Sequence, residues 1–186
     1  METILPLPRR IGTALARWLD SSAGAVLDDD DQHIDWLRTL PFIALHAACV
    51  AVIWVGVSGV AVMERALDLT IAYVKERKAF GQRLIDFQNT QFKLAECKTE
   101  ATVGKVFCHH CVDLHLRGKL DATMASMAKL WLTDTQCKIV DECLQLHGGY
   151  GYMNEFPIAR MFADSRVQKI YGGTNEIMKL LIARSL

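Results

Sequence analysis

The chain has 186 residues with 21 basic and 21 acidic side chains, so its formal net charge at pH 7 is zero. That length is typical of one domain with a substantial core. The balanced charge argues against electrostatic binding of nucleic acid, and the six cysteines, with no secretion signal, indicate reduced thiols in a reducing compartment.

The first residues allow two interpretations of location. Met1–Ala25 contains three arginines, which is typical of a mitochondrial presequence, but Glu2 argues against one because transit peptides are poor in acids. The acidic run Asp28–Asp31 is predicted to be a solvated loop. We therefore predict a cytoplasmic protein, with the mitochondrial matrix as the alternative.

The segment Phe42–Met63 contains no charged residue and is long enough to cross a membrane. Arg38 and Arg65 flank it about equally, so the sequence specifies no orientation. Fully buried helices contain such runs as well. We favour burial in a helical bundle, and a membrane-anchored helical protein is the alternative.

Helical periodicity predicts three long helices after residue 56. They span Val57–Glu76, Gln88–Leu116, and a segment from Asp121 or Thr123 to Leu146. The stripes expected to face the core are Val60, Met63, Leu67, Ile71 and Val74 in the first helix, Phe92, Ala95, Thr99, Val103, Val106 and Val112 in the second, and Met124, Met127, Leu130, Trp131, Ile139 and Leu144 in the third.

Two shorter helices are predicted near the end of the chain. Pro157 fits the first turn of a helix over Ile158–Val167. Thr174 or Asn175 can cap a last amphipathic helix. Because no alternating strand pattern is present, the sequence predicts an all-α, up-and-down antiparallel bundle of three long and two short helices.

Two glycine clusters lie between helical stretches in Gln145–Arg184. The first is Gly148-Gly149-Tyr150-Gly151, and the second is Gly172-Gly173-Thr174-Asn175-Glu176. Glycine allows positive φ and close approach of a ligand, and a helix start offers free N–H groups to an anion. Ordinary helix C-caps are the alternative. Two clusters so close together favour a ligand site.

The sequence Cys108-His109-His110-Cys111 suggests a zinc site, since Cys108, Cys111 and His115 could share one helix face. A single helix supplies few tetrahedral ligands, and no second CxxC pair follows. We therefore predict no metal site. Nucleotide-binding and nucleophile motifs such as GxGxxG, the P-loop and GxSxG are also absent.

Three segments resemble the acyl-CoA dehydrogenase family, in the family's order and spacing. They are Tyr73–Gly81 (YVKERKAFG), Phe87–Glu96 (FQNTQFKLAE) and Gln145–Arg184, which includes IYGGTNEI. The resemblance runs from about Val57 to Leu186 and favours the long-chain or isovaleryl types. It implies the family's C-terminal helical domain, FAD, and dehydrogenation of acyl-CoA thioesters in fatty-acid or branched-acid breakdown. It also implies a homo-oligomer, a tetramer in the family, and electron-transfer flavoprotein as a partner.

The resemblance implies a set of FAD-binding residues as well. Arg77 would bind the pyrophosphate with its guanidinium fork. Residues 145–149 would reach the adenine half of FAD from a neighbouring subunit, and residues 174–176 would close over the pyrophosphate. The implied residues are Arg77, Phe80, Gln88, Gln145, Gly148, Gly149, Thr174 and Glu176.

The family's catalytic base has no match. That base is a carboxylate that removes the α-proton of the thioester while hydride leaves for the flavin. Its position corresponds to Gly172 in the medium-chain type and falls near Ala51 in the long-chain and isovaleryl types. Glu64 is the nearest acid, but it lies three to four turns further along the helix. We therefore predict no catalytic residue in this chain.

Residues 1–56 do not resemble the family and could not replace its N-terminal helical and central β-domains. We interpret them as a non-family segment, disordered or frame-shifted, and residues 57–186 as the family's helical bundle. The chain is then a truncated dehydrogenase that lacks the base. The alternative is a catalytically inactive helical fragment that acts as an oligomerisation or interaction module.

Overall fold

The computed structural model describes residues 36–186, with side chains from Val55 onward. The chain divides into two units, residues 1–45 and residues 46–186. Of the first unit, only the helical residues 36–45 are described. The predictions for Met1–Ala25 and Asp28–Asp31 lie outside the described residues.

Five α-helices make up most of the described residues. They are α1 (Trp36–Glu76), α2 (Gln88–Leu116), α3 (Ala122–His147), α4 (Pro157–Val167) and α5 (Asn175–Ala183). The antiparallel strands β1 (Lys78–Ala79) and β2 (Gln82–Arg83) form a small hairpin between α1 and α2. Short 3-10 turns follow at Leu84–Asp86 and at Gly148–Tyr152. The predicted all-α bundle is confirmed, and the hairpin escaped prediction because two-residue strands are too short to show alternation.

Contacts between helices establish the up-and-down order. The Nζ atoms of Lys93 and Lys138 lie 2.9 and 2.5 Å from carboxylate oxygens of Glu142 and Glu100, so α2 and α3 run antiparallel. Lys105 of α2 pairs with Glu64 of α1 at 2.8 Å. Tyr73, near the end of α1, donates to the His147 carbonyl at the end of α3, so these two helices run in the same direction.

Local sequence signals set the helix ends. The Asp121 carboxylate accepts a 2.7 Å hydrogen bond from the Met124 N–H and caps α3. Thr174 caps α5 in the same way, and Pro157 occupies the first turn of α4. The predicted bounds of α2 are confirmed, whereas α1 begins before the predicted Val57, at Trp36.

The predicted core stripe of α1 is confirmed. Val60, Met63, Leu67 and Val74 are buried, and Ile71 is partly buried against them. They pack against α2, α3 and α4 in one continuous cluster of apolar side chains.

The predicted core stripe of α2 is wrong. Phe92, Val103 and Val106 are 56%, 53% and 66% exposed. The buried residues of α2 are instead smaller on average: Thr90, Leu94, Cys97, Ala101, Gly104, Cys108 and Cys111. Close packing of the helices explains the difference, since small side chains let helix backbones approach and leave the larger ones outside.

The predicted stripe of α3 is also shifted around the helix. Met127 and Trp131 are about one-third exposed, whereas Ile139 is buried as predicted. The buried face of α3 includes five polar residues: Ser126, Lys129, Thr133, Thr135 and Gln136. Lys129, Thr133 and Gln136 make hydrogen bonds to other helices, which periodicity of apolar residues does not reveal.

The described residues also bear on the alternatives of a membrane anchor and a metal site. Within residues 36–186, no helix is long and apolar enough to cross a membrane. No group of three His, Cys, Asp or Glu side chains in the described part of the chain could hold a metal ion. Cys108 and Cys111 lie in the core, where burial raises the pKa of both thiols.

Replacing Val74 by alanine should lower the free energy of unfolding by about 2 kcal/mol, because its side chain is fully buried. The same substitution at Val167, which is about half exposed, should change it by less than about 0.5 kcal/mol. Urea denaturation followed by circular dichroism measures both values. Equal losses at the two positions would contradict the described core.

Candidate functional site

Six of the eight implied cofactor residues lie at one end of the bundle. Helices α1 and α3 finish there, and α2 begins there. The Tyr73 hydroxyl joins the two finishing helices by donating to the His147 carbonyl at 3.2 Å. We call this region the bundle end, defined by Arg77, Phe80, Gln88, Gln145, Gly148 and Gly149.

An aromatic cluster underlies the bundle end. The rings of Tyr73 and His147 stack with centroids 4.3 Å apart, and Tyr150 stacks on Phe156 at 5.0 Å. The guanidinium of Arg77 lies over the Tyr150 ring, 5.3 Å from its centroid. This cation–π contact holds the arginine against a rigid surface.

Arg77 retains its hydrogen-bond donors for a ligand. Its side chain is exposed, and the ion pairs among the described residues do not include it. The neighbouring Arg83, by contrast, donates to both carboxylate oxygens of Asp86, at 3.0 and 2.9 Å. A guanidinium with available N–H groups is suited to bidentate binding of phosphate.

The hairpin presents Phe80 to solvent. Phe80 is 93% exposed and has φ of 54°, a left-handed conformation that a bulky residue rarely adopts. The hairpin leads into α2, whose N-cap Phe87 makes no side-chain capping bond. The first N–H groups of α2, beginning at Gln88, therefore lack a side-chain cap and favour negative charge.

The turn after α3 leaves open space beside its backbone. A Cβ atom added at Gly148 or Gly149 would meet no heavy atom within 4 Å, whereas one at Gly151 would lie 2.5 Å from the Leu144 carbonyl oxygen. Gly148 also has φ of 58°. The first two glycines therefore offer main chain that a ligand can approach, and the third is required for packing.

His147 is structural although it lies between exposed site residues. It is buried, and its Nδ1–H donates to the Cys143 carbonyl at 2.8 Å. Burial lowers the pKa of the imidazole, which favours its neutral form. Its exposed neighbours Gln145 and Gly148 remain the residues of this segment that can face a ligand.

Thr174 and Glu176 lie elsewhere on the bundle. Asn175 between them is buried against Lys129 and Asp134 in the first half of α3. These α3 residues are about 20–27 Å along the helix from His147, at 1.5 Å per residue. One chain therefore does not bring the α5 turn and the bundle end together.

Glu176 is an exposed anion at the start of α5. Its own backbone N–H and the Thr174 hydroxyl lower the pKa of its carboxyl. The side chain of Asn175 points inward instead. Of the three residues expected to close over a pyrophosphate, Thr174 and Glu176 are therefore the accessible ones.

Glu64 does not have the properties of a proton-abstracting base. Its carboxylate accepts a 2.8 Å hydrogen bond from Lys105, and this contact lowers the pKa of Glu64. A base of this kind needs a carboxyl in an apolar cleft with a raised pKa. The predicted base position near Ala51 lies in α1, among residues whose side chains are not described.

Sequence reasoning missed Tyr150 and Lys129. The Arg77 guanidinium lies over the Tyr150 ring. The position of Tyr150 next to Gly149 in the sequence was the signal that could have marked it as a site residue. Lys129 is fully buried in α3. It follows Ala125 by four residues and precedes Leu132 by three, which places it on the buried face once that face is located correctly.

Comparison with known proteins gives a consistent result. A family model described as the acyl-CoA dehydrogenase C-terminal domain matches residues 48–186. The mitochondrial long-chain specific acyl-CoA dehydrogenase of Mus musculus is 52% identical over 123 residues, which cover 66% of this chain and 29% of that protein.

Solved structures agree with this similarity. The acyl-CoA dehydrogenase of Geobacillus kaustophilus gives a TM-score of 0.72 at 43% identity, over 74% of this chain and 36% of that one. An acyl-CoA dehydrogenase complexed with FAD from Bacillus anthracis gives 0.74 at 29% identity, over 77% and 28%. The chain therefore spans about a third of the length of the relatives that it matches.

Replacing Gly151 by alanine should lower the free energy of unfolding by about 1–3 kcal/mol, because the new Cβ would overlap the Leu144 carbonyl. The same substitution at Gly149 should change it by less than about 0.5 kcal/mol, since the space there is open. Thermal denaturation of the two variants and the wild type measures the difference. A harmless Gly151→Ala would show that this turn is not packed as described.

Proposed function

The chain belongs to the acyl-CoA dehydrogenase family, and from that membership we propose that it serves FAD-dependent α,β-dehydrogenation of acyl-CoA thioesters by binding the cofactor. Its fold is the helical bundle of the family's C-terminal domain. We assign this role to residues 57–186. Electron-transfer flavoprotein is the proposed redox partner.

The observation that carries the proposal is the position of Arg77 over Tyr150. FAD contains a pyrophosphate and an adenine ring, and it would supply the hydride acceptor when bound. The exposed guanidinium suits the pyrophosphate, and the open backbone at Gly148 and Gly149 allows close approach of the adenine half. Phe80 offers an exposed ring to the cofactor.

The separation of the two groups of site residues supports a shared site between chains. The bundle end and the Thr174–Glu176 turn lie about 20–27 Å apart along α3. We propose that they contact different FAD molecules. A second copy of the chain would then place its bundle end against the cofactor held at the α5 turn of the first.

The properties of Glu64 support a chain without a catalytic base. Its lowered pKa keeps it ionised and paired with Lys105. We propose that removal of the α-proton requires a carboxylate from outside this chain. The chain alone would then bind FAD without oxidising an acyl-CoA.

A second candidate function is an inactive interaction module, and the exposed apolar face of α2 favours it. Phe92, Val103 and Val106 lie near one line on the side of α2 opposite its buried residues. Exposed apolar surface of this kind commonly marks a protein interface. The proposed occupant is a second copy of the chain, in agreement with the expected homo-oligomer.

FAD titration of the purified full chain tests the first function. The Arg77→Ala variant should bind FAD about 10- to 100-fold more weakly, because charge-assisted hydrogen bonds to the pyrophosphate are lost. Arg83→Ala is the matched control, since that arginine is already paired with Asp86. Fluorescence anisotropy of FAD measures each Kd. Equal affinities for Arg77→Ala and the wild type would contradict the site.

Anaerobic addition of acyl-CoAs to the FAD complex tests the absence of a base. The flavin absorbance should remain, because the chain, as proposed, supplies no carboxylate that removes the α-proton. Bleaching would show that the chain holds an active base. A folded wild-type chain that binds no FAD would contradict the cofactor role and leave the interaction module.

Sedimentation velocity tests the α2 face. Val103→Glu and Val106→Glu should each shift the chain toward monomer, because an unpaired carboxylate is costly to bury in an apolar interface. His109→Glu is the control, since His109 is exposed on the flank of α2 rather than in the apolar line. Unchanged association of both valine variants would place the contact elsewhere.

A further inference from the structure

Lys129 is a buried cation that the proposed cofactor contacts do not use. Its side chain is 0% exposed, and its Nζ donates to the Asn175 Oδ1 atom at 2.7 Å. Within the described residues, no carboxylate oxygen lies within 4.0 Å of this ammonium. Burying an ammonium without an ion pair is unfavourable and lowers the pKa of Lys129, and the hydrogen bond to Asn175 and the nearby charges of Asp134 and Glu176 oppose this cost.

The amide of Asn175 is fully engaged with α3. Its Oδ1 accepts from Lys129, and its Nδ2 donates to the Asp134 carboxylate at 3.1 Å. Thr133 lies within hydrogen-bond distance of both amide atoms. Asn175 is therefore fixed on both sides of its amide, and it is itself buried.

The loop before Asn175 is also attached to α3 at its first residue, Lys169. The Asn175 N–H donates to the Lys169 carbonyl at 3.0 Å, which closes residues 169–175 into a loop. The Lys169 ammonium pairs with Asp134 at 2.7 Å. The turn inside the loop has positive φ at Gly172 and Gly173, and the contacts of Lys169 and Asn175 attach both of its ends to α3.

We propose that Lys129 is a positioning residue that acts through Asn175 to hold the turn Thr174–Glu176. Thr174 and Glu176 flank the fixed Asn175 and face outward, so anchoring that residue sets the direction of both. The inference rests on the proposed function for its ligand, because that turn is the one assigned to the FAD pyrophosphate. The anchoring itself is inferred from the contacts of Asn175 with Lys129, Thr133 and Asp134, without the proposed function.

Amide hydrogen exchange of the full chain tests the anchoring without any ligand. Lys129→Met fills the same space but removes the charged donor, so the amides of residues 172–178 should exchange about 10- to 100-fold faster. Ser126→Ala is the matched control, because Ser126 is a buried polar residue one turn earlier that bonds only its own helix. Unchanged exchange in Lys129→Met would overturn the proposal.

A double-mutant cycle shows whether the effect passes through Asn175. Asn175→Ala removes the same contact from the other side and serves as the second variant if Lys129→Met does not fold. The double variant should exchange no faster than the faster single variant, since both changes break one interaction. Multiplied effects would indicate that Lys129 stabilises the loop by another route and would overturn the proposal.

FAD affinity of the same variants tests the link to the cofactor. Lys129→Met should weaken FAD binding about 10-fold and Ser126→Ala should not, because an unanchored turn must be ordered on binding. Faster exchange with unchanged FAD affinity would overturn the positioning role. A wild-type chain that binds no FAD would contradict the proposed function instead, and the exchange experiment would still decide the anchoring.

Discussion

The rest of the structure depends on the insertion of Leu132 between two glycines. A Cβ atom at Gly56 of α1 would lie 3.0 Å from one Leu132 methyl, and a Cβ at Gly104 of α2 would lie 3.2 Å from the other. The three long helices therefore meet around one side chain of α3, which is buried. Because interiors are close-packed, this spacing decides which residues fit between the helices.

The close approach of the three long helices explains which parts of the fold could be predicted from the sequence. The bounds of α2 and the cap of α3 follow from local signals, and both are as expected. The inward faces of α2 and α3 are different from the prediction, because periodicity assigns the larger apolar residues to the core. On α2, alanine, glycine and cysteine occupy most of the buried face, because the helix backbones lie too close for Phe92 or Val106.

The candidate site could be predicted only in part from the sequence, for a related reason. Motifs named the candidate residues, but no motif contains the distance along α3 that separates Gly148 from Thr174. Lys129 was not expected in the core, since lysine is usually found at a surface. Lys129 lies inside the bundle because Asn175, more than forty residues later, supplies its acceptor.

Electrostatic contacts at the surface of the bundle contribute little to its stability. Interhelical ion pairs such as Glu64 with Lys105 and Lys93 with Glu142 are partly exposed, and such pairs contribute about 0–1 kcal/mol each. They agree with the helix order without determining it. The bundle is held by packing, and polar groups matter most where water is excluded.

The backbone at Phe80 has a consequence for engineering. Glycine would relieve the left-handed conformation there, which costs a residue with a side chain about 1–2 kcal/mol. Selection for thermal tolerance alone would therefore favour glycine at this position and remove the exposed ring. A hairpin with glycine at this position would be more stable, but it would lack the aromatic ring that a ligand could contact. At this tip, stability and recognition therefore favour different residues.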